Sequence, residues 1–229
     1  MTEGERGIWL DDATHREDLS TFVERALRLD DAAVIRLKER AGGLVVAWVN
    51  TGFDVLASRV IGGRVRPGDL SAGADALVAG LTAMDRSGFV EPGFAMDSAW
   101  RGALPPETGF VHLDDVPARA VLELAQRGVA LAKEHSSAHG PPASLLDQEV
   151  VAVSSGDASV GIPMRCVFAL TAMAFLPQSA AAGQGMALDP ESVAADEIVR
   201  VRVLPAWLRI DARFGSVYRR RGDPAVVLR

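Results

Sequence analysis

A chain of 229 residues, 48% of them hydrophobic and 24% charged, carries enough apolar material for one large core or two small ones. Its net charge of −6 argues against general coating of nucleic acid by the molecule as a whole. Cys166 is the single cysteine, which excludes an intrachain disulfide and zinc sites built on paired cysteines.

The first fifteen residues are polar, so no secretory leader is predicted. Thr14 to Glu17 has capping-box spacing, and Leu19, Phe22, Val23, Ala26 and Leu27 then recur at i, i+3, i+4, i+7 and i+8. This predicts an amphipathic first helix capped at Thr14. Ile35 and Leu37 alternate with Arg36, Lys38 and Arg40. Leu44 to Val49 is a nearly unbroken apolar run, and Phe53 to Ile61 completes a three-stranded antiparallel meander. Gly62 to Gly68 reads as a breaker, followed by a helix from about Ala72 to Arg86.

Residues 89–109 hold several Pro and Gly and no clear period, as expected of a connecting loop. After a short strand over Gly109 to Leu113, Asp114 and Asp115 are expected to cap a long helix with Pro117 in its first turn, ending near His135. Glu149 to Val153 and Val160 to Ile162 form a hairpin around a Ser154 to Asp157 turn. Pro163 to Leu176 is apolar on nearly every side and predicts a central helix. The longest apolar run, Cys166 to Pro177, is too short for a helix crossing roughly 30 Å of hydrocarbon. Gln178 to Met186 is an Ala/Gly-rich loop, and a meander closes the chain.

That last meander carries the most information. Val199 to Val203 and Trp207 to Arg213 alternate apolar with charged residues, and from Asp196 to Arg229 eight arginines face four acidic residues. The alternation sends Arg200, Arg202, Arg209 and Arg213 to one wet face, with Trp207 beside them. Such a face can dock an acidic protein surface or follow a phosphate backbone, and Asp211 within it offers a cross-strand partner instead. Trp100 and Arg101 in the Pro-rich segment are the other candidate contact, of the types that anchor interfaces.

Catalytic signatures are missing. There is no phosphate-binding Gly-x-x-x-x-Gly-Lys-Ser/Thr, and Gly183-Gln184-Gly185 lacks the further glycine of a dinucleotide loop. His135 and His139 are four apart, but Gly140-Pro141-Pro142 ends the helix there, so no metal is expected. Cys166 lies among Met164, Val167, Phe168 and Leu170, surroundings of an inert packed thiol.

Trp100 to Pro106, the apolar helix of Val167 to Phe175, and Trp207 to Val217 resemble a family of conserved hypothetical proteins from high-GC actinobacteria. That family has no assigned activity, so the resemblance implies no site residues. Lysine occurs only at Lys38 and Lys133 among 24 basic residues, in keeping with a high-GC genome.

The expected fold is α+β, with two small antiparallel β-meanders and about four helices. Residues 1–88 form the first part, 89–109 the connector and 110–229 the second part. Val78 to Met84 echoes Val167 to Met173, so the halves are either two pseudo-symmetric lobes or two unrelated units with similar apolar helices. The expected function is a non-enzymatic cytoplasmic interaction or regulatory module without cofactor. Its partner is an acidic protein surface or a second copy of the chain in a homodimer, with no membrane. The rivals are a nucleic-acid-binding protein using the basic C-terminal sheet, and an enzyme whose site is assembled from distant residues.

Overall fold

The computed structural model describes residues 6–135, 141–156, 158–177 and 189–222. Within these, one compact unit takes in residues 6–52 and 56–104, and a second takes in residues 53–55 and those from 105 onward.

In the first unit, β1 (Gly7–Leu10) leads into α1 (Ala13–Leu29), and β2 (Val34–Arg40), β3 (Leu44–Thr51), β4 (Val55–Arg66) and β5 (Asp69–Gly73) follow. Then come α2 (Ala74–Ala83) and the two-residue β6 (Phe89–Val90). The α1 spacing does what its sequence predicts, since Leu19, Phe22, Val23 and Ala26 are its buried residues. They share the core with Ile35, Leu37, Val45 and Ala47, all fully buried. Burying each Leu, Ile, Val or Phe side chain among these stabilises the unit by about 1.5–3 kcal/mol. The α1 cap is Asp12, whose side chain accepts from the His15 backbone N–H, rather than Thr14, which lies inside the helix.

Strands run in the order β5-β2-β3-β4, and β1 pairs antiparallel with both β4 and β6. Of the expected breaker over 62–68, residues 62–66 are instead the end of β4, and only 67–68 form the bend into β5. Gly63 explains the misreading. Its φ of +150° and its position opposite Leu10, where a Cβ would stand 2.4 Å from the Trp9 carbonyl oxygen, exclude other residues while the strand continues. β6 and the 3₁₀ turn Asp97–Ala99 belong to this unit, which extends through residue 104.

The second unit has β7 (Val111–Pro117), α3 (Ala118–His135), α4 (Ala143–Leu146), the hairpin β8 (Glu149–Ser155) and β9 (Ala158–Pro163), and α5 (Met164–Ala172). After the 3₁₀ turn Pro190–Ser192 come β10 (Ile198–Leu204), β11 (Trp207–Ala212) and β12 (Gly215–Arg220). β12, β11, β10 and β7 lie side by side, antiparallel throughout. Asp114, Asp115 and Pro117, expected at a helix start, sit in β7, where Asp115 pairs with Arg200 and Pro117 with Ile198. A long-range ladder here overrides local capping signals. α5 is buried over Met164–Leu170, as its sequence predicts, and packs with α3 as α1 packs with α2. The expected loop over 178–186 lies outside the described residues.

Among the described residues the fold is thus a mixed α/β one with five α-helices and antiparallel sheets, the four-residue α4 being one helix more than expected. The two units are built alike, each with a strand entering a long helix and a hairpin or meander leading into a second, apolar helix. The echoed heptapeptide falls at matching places. Leu81-Thr82-Ala83 and Leu170-Thr171-Ala172 end α2 and α5, with Met84 and Met173 as the C-caps. Thr82 and Thr171 each donate a hydroxyl hydrogen bond to the carbonyl four residues back.

Candidate interaction surfaces

Alternation in β10 and β11 buries Val199, Val201, Leu208 and Ile210 on one face. The opposite face of these strands carries Arg200, Arg202, Trp207, Arg209 and Asp211. In register, Arg200 stands between Asp211 and Asp115, and Arg202 between Arg209 and His112.

Asp211 organises this face. Arg209 Nε donates to its Oδ1 at 2.6 Å, Ser216 Oγ donates at 2.5 Å, and Arg202 Nη1 lies 3.3 Å from Oδ2. The Arg209 guanidinium also sits 5.6 Å from the Phe110 ring centre and 5.4 Å from that of Tyr218. Arg213, expected on the same stripe, lies beyond the end of β11. It donates from Nε and Nη2 to Glu197, which is only 8% exposed, and those bonds hold the guanidinium above the ordinary arginine range. The arginine row is therefore a self-paired lattice in which Arg202, Arg209 and Arg213 engage the protein's own carboxylates. Arg200 and Arg213 are exposed, whereas Arg202 and Arg209 are half-buried.

Trp100 is half-buried against its own unit. Its Nε1 donates to the Gly102 carbonyl at 3.1 Å, and the Arg36 guanidinium lies 5.8 Å from its ring centre. Arg36 is fixed by two hydrogen bonds to Asp69, at 2.8 and 2.7 Å. Arg101 is exposed. Sequence reasoning missed Phe94, which is 90% exposed in the same segment. The signal was an aromatic directly after Pro92-Gly93.

A second residue missed from sequence is Arg165 at the start of α5, 8% exposed. Its Nη1 donates to the Phe53 carbonyl at 2.6 Å, while Nε and Nη2 donate to Asp147 Oδ1 at 3.1 and 2.6 Å. Arg219 Nη2 reaches the same oxygen at 3.2 Å. Cys166 beside it is 1% exposed, and burial pushes its thiol up to about 12 although Arg219 and Arg165 pull the other way. A thiol so held is protonated at neutral pH and is no nucleophile.

His112 meets Asp115 at 2.8 Å, and Asp114 accepts from the Asp115 N–H, so these residues settle local geometry. His139 and the His135 side chain lie outside the described residues, among which no cluster of three or more metal-ligating side chains occurs. In the first unit a cleft of about 400 Å³ opens between the start of α1 and the end of α2, lined by Asp11, Asp12, Arg16, Asp85 and Arg86, a mixed set of charges. Among the described residues, no helix is long and apolar enough to cross a membrane.

No curated protein matches the sequence. Solved structures do match in fold. A putative DNA polymerase III beta subunit from Eubacterium rectale superposes with a TM-score of 0.57 at 10% identity, covering 98% of this chain and 67% of that one. The DNA polymerase sliding clamp of Caulobacter crescentus gives 0.52 at 11% identity, covering 99% and 69%. The sliding clamp of Bartonella birtlesii, bound to griselimycin, gives 0.53 at 14%, covering 96% and 65%. The chain therefore spans about two thirds of the length of these clamp chains. At such identities the likeness is one of fold. It still corrects the expectation of a non-enzymatic cytoplasmic interaction or regulatory module of unknown process, because the folds it matches are those of sliding clamps. Residues 3–102 match the family described as domain of unknown function DUF8010, and residues 105–224 match domain of unknown function DUF8185, which spans over half the sequence. The chain belongs to the DUF8185 family, with the match to DUF8010 lying ahead of that region.

Proposed function

We propose that this protein works at DNA as a sliding-clamp-like factor, a body that stays on the duplex and holds a protein partner there. The observation that carries the reading is the extent of the likeness, which covers 95–99% of the chain and so runs through both units.

Electrostatics bear on how such a factor would hold DNA. The long helix of each unit mixes its charges: α1 has Arg16, Arg25 and Arg28 with Glu17, Asp18 and Glu24, and α3 has Arg119, Arg127 and Lys133 with Glu123 and Glu134. A protein that grips DNA through phosphate contacts concentrates basic residues and loses affinity steeply with salt. A net charge of −6 with mixed helices suits retention by enclosure, in which contacts are weak and the assembly's shape does the holding. Enclosure implies self-association. A cytoplasmic, DNA-accessible location goes with this reading.

The test is gel filtration with nicked circular DNA and with the same DNA cut once. The reading expects protein to co-elute with the circle and to be released by linearisation. Absence from the circle, or equal retention on both forms, contradicts it.

A further inference from the structure

β5 lies at the outer edge of the first unit's sheet. An open edge presents N–H and C=O groups on which another strand can build. In β5 the central outward-facing residue is Ser71. It stands opposite Arg36 of β2, yet its backbone groups are both engaged on the far side. Its N–H donates to Asp97 Oδ1 at 2.8 Å, and its carbonyl accepts from Met96 N at 2.9 Å and from Arg6 Nη2 at 2.7 Å. The segment that supplies two of these contacts is fastened at both ends. Arg6 Nη1 also donates to the Gly93 carbonyl, and Trp100 lies under the Arg36 guanidinium, itself tied to Asp69 of β5. Phe94 projects into solvent between these anchors and adds nothing to the hold.

We propose that residues 91–102 are a strap that shuts the β5 edge, and that lifting it lets two copies of this chain join β5 to β5. The sequence of the strand favours a second copy as the occupant. Antiparallel pairing centred on Ser71 sets Asp69 of one copy opposite Gly73 of the other, so no like charges face each other across the junction. With five residues, β5 offers outward groups only at 69, 71 and 73, and closing the middle one leaves no run on which a ladder can form. This inference is independent of the clamp reading, since it concerns one edge of one unit and needs no DNA.

The experiment compares wild type with Arg6→Ala/Asp97→Ala, using hydrogen exchange at the Ser71 amide and sedimentation velocity at matched concentrations. Removing both fasteners should speed Ser71 exchange by about tenfold or more. It should also add a larger species that the wild type lacks. Asp97→Asn, which keeps the acceptor oxygen, should behave as wild type. Adding Ser71→Pro to the double variant removes the outward N–H and should abolish the larger species. Unchanged exchange overturns the proposal. So does faster exchange without added mass, or added mass that survives Ser71→Pro.

Discussion

α2 and α5 end on nearly the same seven residues and live in different surroundings. Leu81 and Leu170 are 2% and 1% exposed, so the shared Leu is core in both. Upstream the helices part. Val167 is buried whereas Val78 is half-buried, and Phe168, 6% exposed, stands where α2 has the exposed Ala79. The second unit thus wraps its apolar helix and the first leaves one side of its own uncovered. A shared phrase therefore marks a shared place in the architecture, while the residues around it set how much of the helix is covered.

The difference can be measured. Phe168→Ala empties the site that α2 does not have and should cost about 3–5 kcal/mol in chemical denaturation. Next in size, Val167→Ala should cost about 1.5–3 kcal/mol. Val78→Ala, at the matching place, should cost less than about 1 kcal/mol. Equal losses for the two valines would break the comparison. The helix exits differ too. After α5, Ala174 adopts φ +55°, with Phe175 N–H bonded to the Leu170 carbonyl and Ala174 N–H to that of Thr171. Ala174→Gly relieves the left-handed strain and should stabilise by about 0.5–1 kcal/mol, visible as a raised melting temperature.

The smallest effect is one of pH. Cys166 has its thiol raised from an ordinary 9.0 to about 12 in the fold. The unfolded chain loses that proton first as pH rises, so this group's contribution to stability is intact below about 9 and declines from there toward about 12. Cys166→Ala should lack that component of the alkaline slope. At pH 8 the native thiol should resist labelling until the protein unfolds. Rapid labelling of the folded form would contradict its burial.

What the sequence carried plainly was local periodicity: the buried face of α1, the β2–β3 pairing, the β8–β9 hairpin and the covered α5 all follow from apolar spacing. The errors came where distant pairing decides. Asp114-Asp115-Pro117 has the chemistry of a helix start, yet the β10 ladder takes those residues as strand. Gly62-Gly63 looks like a stop, yet β1 docks there and needs glycine. The surface chemistry shows the same division. Asp211 stands visibly among the arginines, so pairing on that face was legible. The reach of Glu197 to Arg213, of Arg165 to Phe53, and of Ser71 to the strap depends on the tertiary fold. The clamp-like build, a property of how such units are assembled from long-range ladders, left no motif to read.

The most direct test of clamp-type holding is the dwell time of single fluorescent molecules on stretched duplex DNA with blocked ends, measured as salt is raised. A protein relying on six to ten phosphate contacts loses about 10³–10⁵ in affinity between roughly 50 and 200 mM salt. The clamp-like reading predicts molecules that diffuse along the duplex with dwell times nearly independent of salt, and that leave when an end is freed. Failure to stay on DNA at any salt, or dwell times that collapse with salt and ignore the ends, would contradict it.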